Sequence, residues 1–352
     1  MTLDLTGPPR PWPHALVRRF GAAHDRALDR ADCWATPPAE GDPELLERLA
    51  GLFGAPPGRT VVTGGVRQFA GSWAGRTRTA LAERPGFADI GQVLAGTATV
   101  RALPWDELPG AARSCPEPVT VWVTSPYRNP DGRSLDTAGR TALAELARAG
   151  HQVVVNQVYQ WYAPPEELPP GCWGTTSLAK LCGGGSRLGW ATVPDGDTAL
   201  PALRGSGPAT TWQRAWAGFL DRTTLASLHH ACIEPTLEAR RAFTDRVGDL
   251  LGWEFPGGGM SLSLYWHGAA EDRVMAEFAE QEVRVGPGSA FDGQPGSVRL
   301  AFTGVDTAEA TRAAGPGGRR AGRAARPRAP PPPRRPGPRP GPPGSRPAPP
   351  GR

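Results

Sequence analysis

Thr175-Thr176-Ser177-Leu178-Ala179-Lys180-Leu181-Cys182-Gly183-Gly184-Gly185-Ser186-Arg187-Leu188-Gly189-Trp190 holds the only lysine in a chain of 352 residues. The other members of its 39 Lys+Arg are all arginine. Arginine fills most roles of a surface cation, but its pKa stays above about 12 and it cannot attack as a neutral amine. Lysine can, once it is desolvated or set beside another cation. A composition that excludes lysine everywhere but here points to amine chemistry at Lys180, although chance survival in a GC-rich coding sequence would leave the same trace. Ser177 precedes the lysine by three positions and Arg187 follows it by seven. The glycines between let the backbone come close to a ligand.

The rest of the composition bounds the class. A chain of this length can bury a large core in one to three domains. The 39% hydrophobic content and 12 Trp fit a globular protein. No basic, then apolar, leader opens the sequence, and no apolar run approaches the roughly 18 residues of a membrane span. Cys33, Cys115, Cys172, Cys182 and Cys232 are scattered without a C-x-x-C pair, as expected of reduced thiols in a cytoplasm. The net charge of +5 comes from one end. Setting aside the ten arginines of residues 315–352 leaves 29 basic against 34 acidic residues, a body of −5 with no footprint for nucleic acid. That tail holds only Gly, Pro, Ala, Arg and Ser, offers no apolar face to bury, and is expected to be disordered.

Working outward from Lys180, apolar runs alternate with helix signals. Residues 1–42 read as an irregular, Pro-rich arm with one amphipathic stretch near Ala15–Arg30. Asp42-Pro43-Glu44 then predicts a capped helix: Asp42 as N-cap, Pro43 in the first turn, Glu44 at the positive dipole end. Arg59–Gln68 is a β-branched strand running into Gly64-Gly65-Val66 and a helix, the arrangement that offers backbone N–H groups to a phosphate; an ordinary strand–turn–helix reads the same way. Leu81-Ala82-Glu83-Arg84-Pro85-Gly86-Phe87 places an aromatic after a proline turn, and Phe87 suits either a ligand contact or the core. Val119–Pro126 is a buried strand ending in Asn129-Pro130-Asp131-Gly132, followed by a helix over Asp136–Arg148. His151–Tyr159 is another strand, with Asn156 and Tyr159 at the carboxyl end, where open α/β sheets bind ligands. Leu188–Val193 is predicted as a strand and Thr223–Gly252 as a helical connector broken near Pro235. Pro256–Trp266 alternates like a half-buried strand. Gly286–Phe291 and Val298-Arg299-Leu300-Ala301-Phe302 close the ordered part.

The S-x-x-K-x(6)-R-x-G-W pattern around Lys180 resembles the active-site segment of class I/II aminotransferases, the fold-type I enzymes of pyridoxal phosphate (PLP). Six segments from Gly41 to Phe302 follow the order of that family. The resemblance implies an α/β fold. A mostly parallel, seven-stranded-type sheet would form a large PLP-binding domain over 43–215, with a smaller α+β domain over 216–314. Residues 1–42 would be an arm joined to the small domain, and 315–352 a tail.

The resemblance also implies roles. Lys180 would form the Schiff base with PLP. Gly64, Gly65, Val66, Ser177 and Arg187 would hold its phosphate, and Phe87 would stack on its ring. Asn129 and Tyr159 would meet its phenolic oxygen, with Tyr159 also counted as catalytic. Arg299, with Asn129, would take the substrate carboxylate. The family's V-V-x-D-E-x-Y pattern departs at one position: Asn156 stands where an aspartate faces the pyridine nitrogen. Transamination between amino and 2-oxo acids in a homodimer is the first expectation. A PLP enzyme of other chemistry (lyase, oxidase or cyclase) and a PLP-binding remnant with little activity remain open beside it. No metal is implied.

Overall fold

The computed structural model describes residues 2–196, 207–251, 254–255 and 257–314. The tail 315–352, Gly252 and Pro256, on which sequence-based expectations fell, lie outside the described residues. Among the described residues two sheets organise the fold. The larger has seven strands, β2 (Thr60–Thr63), β3 (Thr79–Glu83), β4 (Thr99–Leu103), β5 (Thr120–Thr124), β6 (Gln152–Asn156), β7 (Trp173–Ser177) and β8 (Gly189–Thr192), in the order β2-β8-β7-β6-β5-β3-β4. All pairings are parallel except those of β8, which runs antiparallel to both β2 and β7. The expected α/β architecture with a mostly parallel seven-stranded sheet is therefore present.

Alternation along the central strands shows why they read as unbroken apolar runs. Val121, Val123, Val153 and Val155 pack on one face with Leu108 and Ala112 of α5 (Leu108–Arg113) and Leu143 and Leu146 of α6 (Thr137–Arg148). Trp122 and Val154 pack on the other face. Their partners there are Phe69 and Trp73 of α3 (Val66–Trp73) and Ile90 and Leu94 of α4 (Ala88–Ala95). A parallel sheet covered on both faces has no polar side to advertise.

The smaller sheet has the order β1-β10-β11-β9, built from β1 (Leu3–Leu5), β9 (Ser261–Tyr265), β10 (Val283–Pro287) and β11 (Ser297–Ala301). Its core joins Leu5, Leu262, Val298 and Leu300 to Phe243 and Val247 of α10 (Glu234–Leu251) and Ala310 of α12 (Thr307–Ala314). The N-terminal arm is thus not wholly irregular: Leu3–Leu5 pairs in parallel with Val283–Val285. The strand expected from Pro256 is confined to Ser261–Tyr265, because Gly257 and Gly259 adopt positive φ angles of 80° and 77° and turn the chain first. The strand expected over His151–Tyr159 stops at Asn156, where a turn and a short 3-10 segment (Gln160–Tyr162) begin.

Helix α2 (Pro43–Phe53) starts as the sequence reads: buried Asp42 accepts from the N–H groups of Glu44 and Leu45 at 3.0 and 3.4 Å. The helical connector runs unbroken through α9 (Arg222–Leu228), a π-turn (His229–Ile233) and α10; in place of the break expected near Pro235, the wider π-turn sits directly before the proline, which has no N–H to give to that turn. Helix α1 (His14–Leu28) packs on α8 (Thr210–Phe219) through Trp12, Phe20, Trp216 and Phe219, with Trp12 stacked on Phe219 at 5.4 Å.

Candidate active site

Parallel strands end together, and the candidate residues follow those ends. Gly64 comes straight after β2, Asn129 shortly after β5, Tyr159 after β6 and Lys180 after β7. Reversal of β8 adds one more. Its first residue, Gly189, pairs with both Thr63 and Ser177, so Arg187 reaches the same edge from the opposite direction.

At that edge three segments converge. Gly65 caps α3 with φ +106°, a conformation open to glycine. A Cβ at Gly65 would lie 3.8 Å from the Ser177 Cβ, and one at Gly64 would lie 3.9 Å from Nη2 of Arg187. The Gly64 N–H donates to Gln68 Oε1 at 3.1 Å and the Gly65 N–H to Thr63 Oγ1 at 3.3 Å. Val66, first in α3, presents an N–H with no acceptor inside its helix. The group is a hydroxyl, a guanidinium and a helix N-terminus, a donor set for an anion.

Lys180 lies on the short helix α7 (Ala179–Cys182), and its carbonyl accepts from the Tyr162 hydroxyl at 3.1 Å. Its Nζ stands 5.7 Å from the centroid of the Tyr159 ring. The residue is half-buried, but protein surrounds the amine. Burial first, then the Arg299 charge, draws its pKa down to about 8. Tyr159 is buried, and burial pushes its phenol up to about 12 in spite of Arg299 and a hydrogen bond with Asn129. Asn129 is buried as well, and its Oδ1 has no hydrogen-bond partner among the described residues.

Arg299 projects from β11. Its Nη1 donates to the Thr6 carbonyl at 2.9 Å, its Nε has no partner among the described residues, and its guanidinium lies 5.2 Å from the Phe291 ring. Phe87 is 49% exposed at the start of α4, with its ring 6.2 Å from that of Phe291. A cavity of about 170 Å³ opens beside Lys180, and Gly7, Arg10, Tyr162, Cys232 and Met260 also line it. Lys180, Tyr159, Asn129 and Arg299 are therefore brought together. Gly64, Gly65, Ser177 and Arg187 converge at the sheet edge, where the Gly64 and Gly65 N–H groups expected to face a phosphate are already donated to Gln68 and Thr63, and Phe87 stands exposed.

Asn156 is less free than its sequence suggests. Its Oδ1 accepts from the Val158 N–H at 3.1 Å and its Nδ2 donates to Thr124 Oγ1 at 3.3 Å. The amide that was open to donate or accept is oriented by the protein. Sequence reasoning also passed over Glu83, a buried carboxyl at the end of β3, and Arg10 in the cavity wall. A carboxylate closing an otherwise apolar strand was a usable signal for Glu83. For Arg10, one arginine among many, no such signal existed.

The sequence matches the family model "Aminotransferase class I and II" over residues 8–315. No curated protein matches the chain. Solved structures share the fold. LysN, the α-aminoadipate aminotransferase of Thermus thermophilus, is 20% identical with a TM-score of 0.75, over 92% of this chain and 91% of that one. An archaeal alanine:glyoxylate aminotransferase gives 18% and 0.77 over 92% and 91%. A double mutant of Thermus thermophilus aspartate aminotransferase gives 22% and 0.73 over 90% and 91%. With the family model spanning most of its length and the sheet order on the page, the chain belongs to the class I and II aminotransferases, PLP-dependent transferases of fold type I.

Proposed function

We propose that this chain moves an amino group between an amino acid and a 2-oxo acid, with PLP carried on Lys180. One observation carries the reading: the only lysine of the chain sets a desolvated amine beside Tyr159 and Arg299.

The residues present fit PLP. Its phosphate suits the cradle of Ser177, Arg187 and the α3 N-terminus, where the φ of +106° at Gly65 favours glycine. Its phenolic oxygen suits the Tyr159 hydroxyl and the Asn129 side chain. Asn156 would stand behind the ring and Phe87 at its outer face. Bound PLP supplies the electron sink for reaction at the substrate Cα.

The chain does the rest. Arg299 offers Nε and a fork of N–H groups to the substrate carboxylate, an arrangement suited to bidentate contact. Lys180, once its amine is free, takes the proton from the substrate Cα and returns it to the acceptor carbon. The fall in its pKa from 10.5 to about 8 raises the neutral fraction near pH 7 roughly 300-fold, which is what a base at that position needs.

The test is product analysis. Purified protein loaded with PLP, given an amino-acid panel with 2-oxoglutarate or pyruvate, should release the 2-oxo acid of the donor in step with the new amino acid. Release of ammonia or carbon dioxide without acceptor turnover would assign a different PLP reaction, and no visible absorbance band after loading would remove the reading altogether. Assembly as a homodimer belongs to the same proposal, and a monomer by light scattering with PLP bound would count against it.

A further inference from the structure

Behind Asn156 lies a carboxyl that the mechanism above does not use. Glu83 ends β3 and is buried. Its Oε2 accepts from the Trp105 Nε1–H at 2.6 Å and from the Thr124 backbone N–H at 2.9 Å. The Thr124 hydroxyl, on the same residue, stabilises the ionised carboxyl as well. Thr124 Oγ1 in turn accepts from Asn156 Nδ2 at 3.3 Å, and Thr124 is paired with Asn156 across β5 and β6. With its oxygen accepting from Asn156, the Thr124 hydroxyl keeps its own proton for the carboxylate that it stabilises.

The charged and titratable surroundings are few. Arg128 is buried beside Glu83, ion-paired with Asp131, and its guanidinium lies 4.2 Å from the Trp105 ring. Arg133 lies 5.8 Å from the same ring. The Tyr159 phenol feels the Glu83 charge directly. Burial outweighs Arg128 and the three hydrogen-bonding groups, so the carboxyl titrates at about 7. It can change charge under conditions where an ordinary glutamate does not.

We propose that Glu83 is a positioning residue of the cofactor site: acting through the Thr124 hydroxyl, its carboxyl fixes the Asn156 amide and supplies the back wall with the negative charge that asparagine lacks. The proposal rests on Asn156 and Tyr159 walling the PLP site. Ionised Glu83 draws the Thr124 proton and so locks the Asn156 N–H toward Thr124. Protonated Glu83 can donate instead, and the chain of bonds loses its single sense.

The test compares wild type with Glu83→Gln, Thr124→Val and Asn156→Asp, each loaded with PLP. It reads the pH titration of the bound-cofactor absorbance between pH 5 and 9, with PLP affinity by dialysis as a control. The expected result is a midpoint displaced by roughly one pH unit or more in both Glu83→Gln and Thr124→Val. Adding Asn156→Asp to Glu83→Gln should move the midpoint back toward wild type. Superimposable titrations of wild type and Glu83→Gln would overturn the proposal. So would an unmoved Thr124→Val beside a displaced Glu83→Gln, because the relay would then be absent. If Glu83→Gln does not fold, Thr124→Val alone decides. A wild type with no cofactor band would instead remove the underlying reading of the site.

Discussion

Arg299 donates from Nη1 to the Thr6 carbonyl at 2.9 Å, joining positions 293 residues apart in the chain. Whatever anion reaches that guanidinium competes with a backbone oxygen for one of its N–H groups. Arg299→Lys keeps the charge and loses the planar fork. Loss of such a buried contact is worth about 2–5 kcal/mol, so kcat/KM should fall by roughly 30-fold or more, while PLP titration of the apoprotein stays as in wild type. Equal loss of PLP affinity would place Arg299 in the cofactor cradle instead.

Lys180→Arg tests the amine itself. The variant keeps a cation at the position but has no nucleophile at neutral pH. Borohydride treatment followed by mass spectrometry should find PLP fixed to a peptide containing Lys180 in wild type and to none in the variant, with circular dichroism unchanged. Label on another peptide of the variant would exclude Lys180 as the attachment point.

Glu83 gives a pH dependence of stability with a definite sign. Its carboxyl titrates at about 7 in the folded protein against 4.5 ordinarily, so the folded state holds the proton more tightly than the unfolded chain. Below pH 4.5 both states are protonated and the group costs nothing. Between 4.5 and 7 the unfolded chain alone ionises and stability drops as pH rises, reaching about 3 kcal/mol above pH 7. Urea unfolding of the apoprotein at pH 5, 6, 7 and 8 should show wild type losing ground to Glu83→Gln across that range. Parallel curves for the two proteins would mean the buried carboxyl is not the group that titrates.

Asp42 is both a helix cap and the buried partner of half-buried Arg214, with its Oδ2 3.0 Å from Nε of Arg214. Asp42→Ala removes the acceptor for two N–H groups and is expected to destabilise by about 2 kcal/mol. Asp42→Asn keeps an oxygen at the cap and should recover part of that. Thermal unfolding of the two variants side by side separates the cap from the charge.

Much of this was written in local signals. Asp42 capping α2, Asp136 capping α6 and the apolar runs of β5 and β6 each depend on neighbours a few positions away. The spacing of Ser177, Lys180 and Arg187 is likewise local, because the end of β7, the short helix α7 and the turn into β8 carry all three. What stayed hidden depends on partners far along the chain. Leu3–Leu5 is a strand only because Val283–Val285 lies beside it. Asn156 is a fixed donor only because Thr124 and the Val158 N–H hold it. Glu83 matters through Trp105, Thr124 and Arg128, none of which its own segment reveals.

The reversed strand β8 has a consequence for how the sequence can vary. It threads between β2 and β7 so tightly that a Cβ at Gly189 would meet the Thr176 carbonyl at 2.3 Å and the Gly65 Cα at 2.9 Å. Gly184 and Gly185, in the same segment, have nothing within 4 Å of the same hypothetical atom. In a saturation library the two kinds of glycine should part sharply: positions 184 and 185 populated by many residues, position 189 by glycine alone. Such a library would report the strand reversal from survival frequencies, with no need for activity on any chosen substrate.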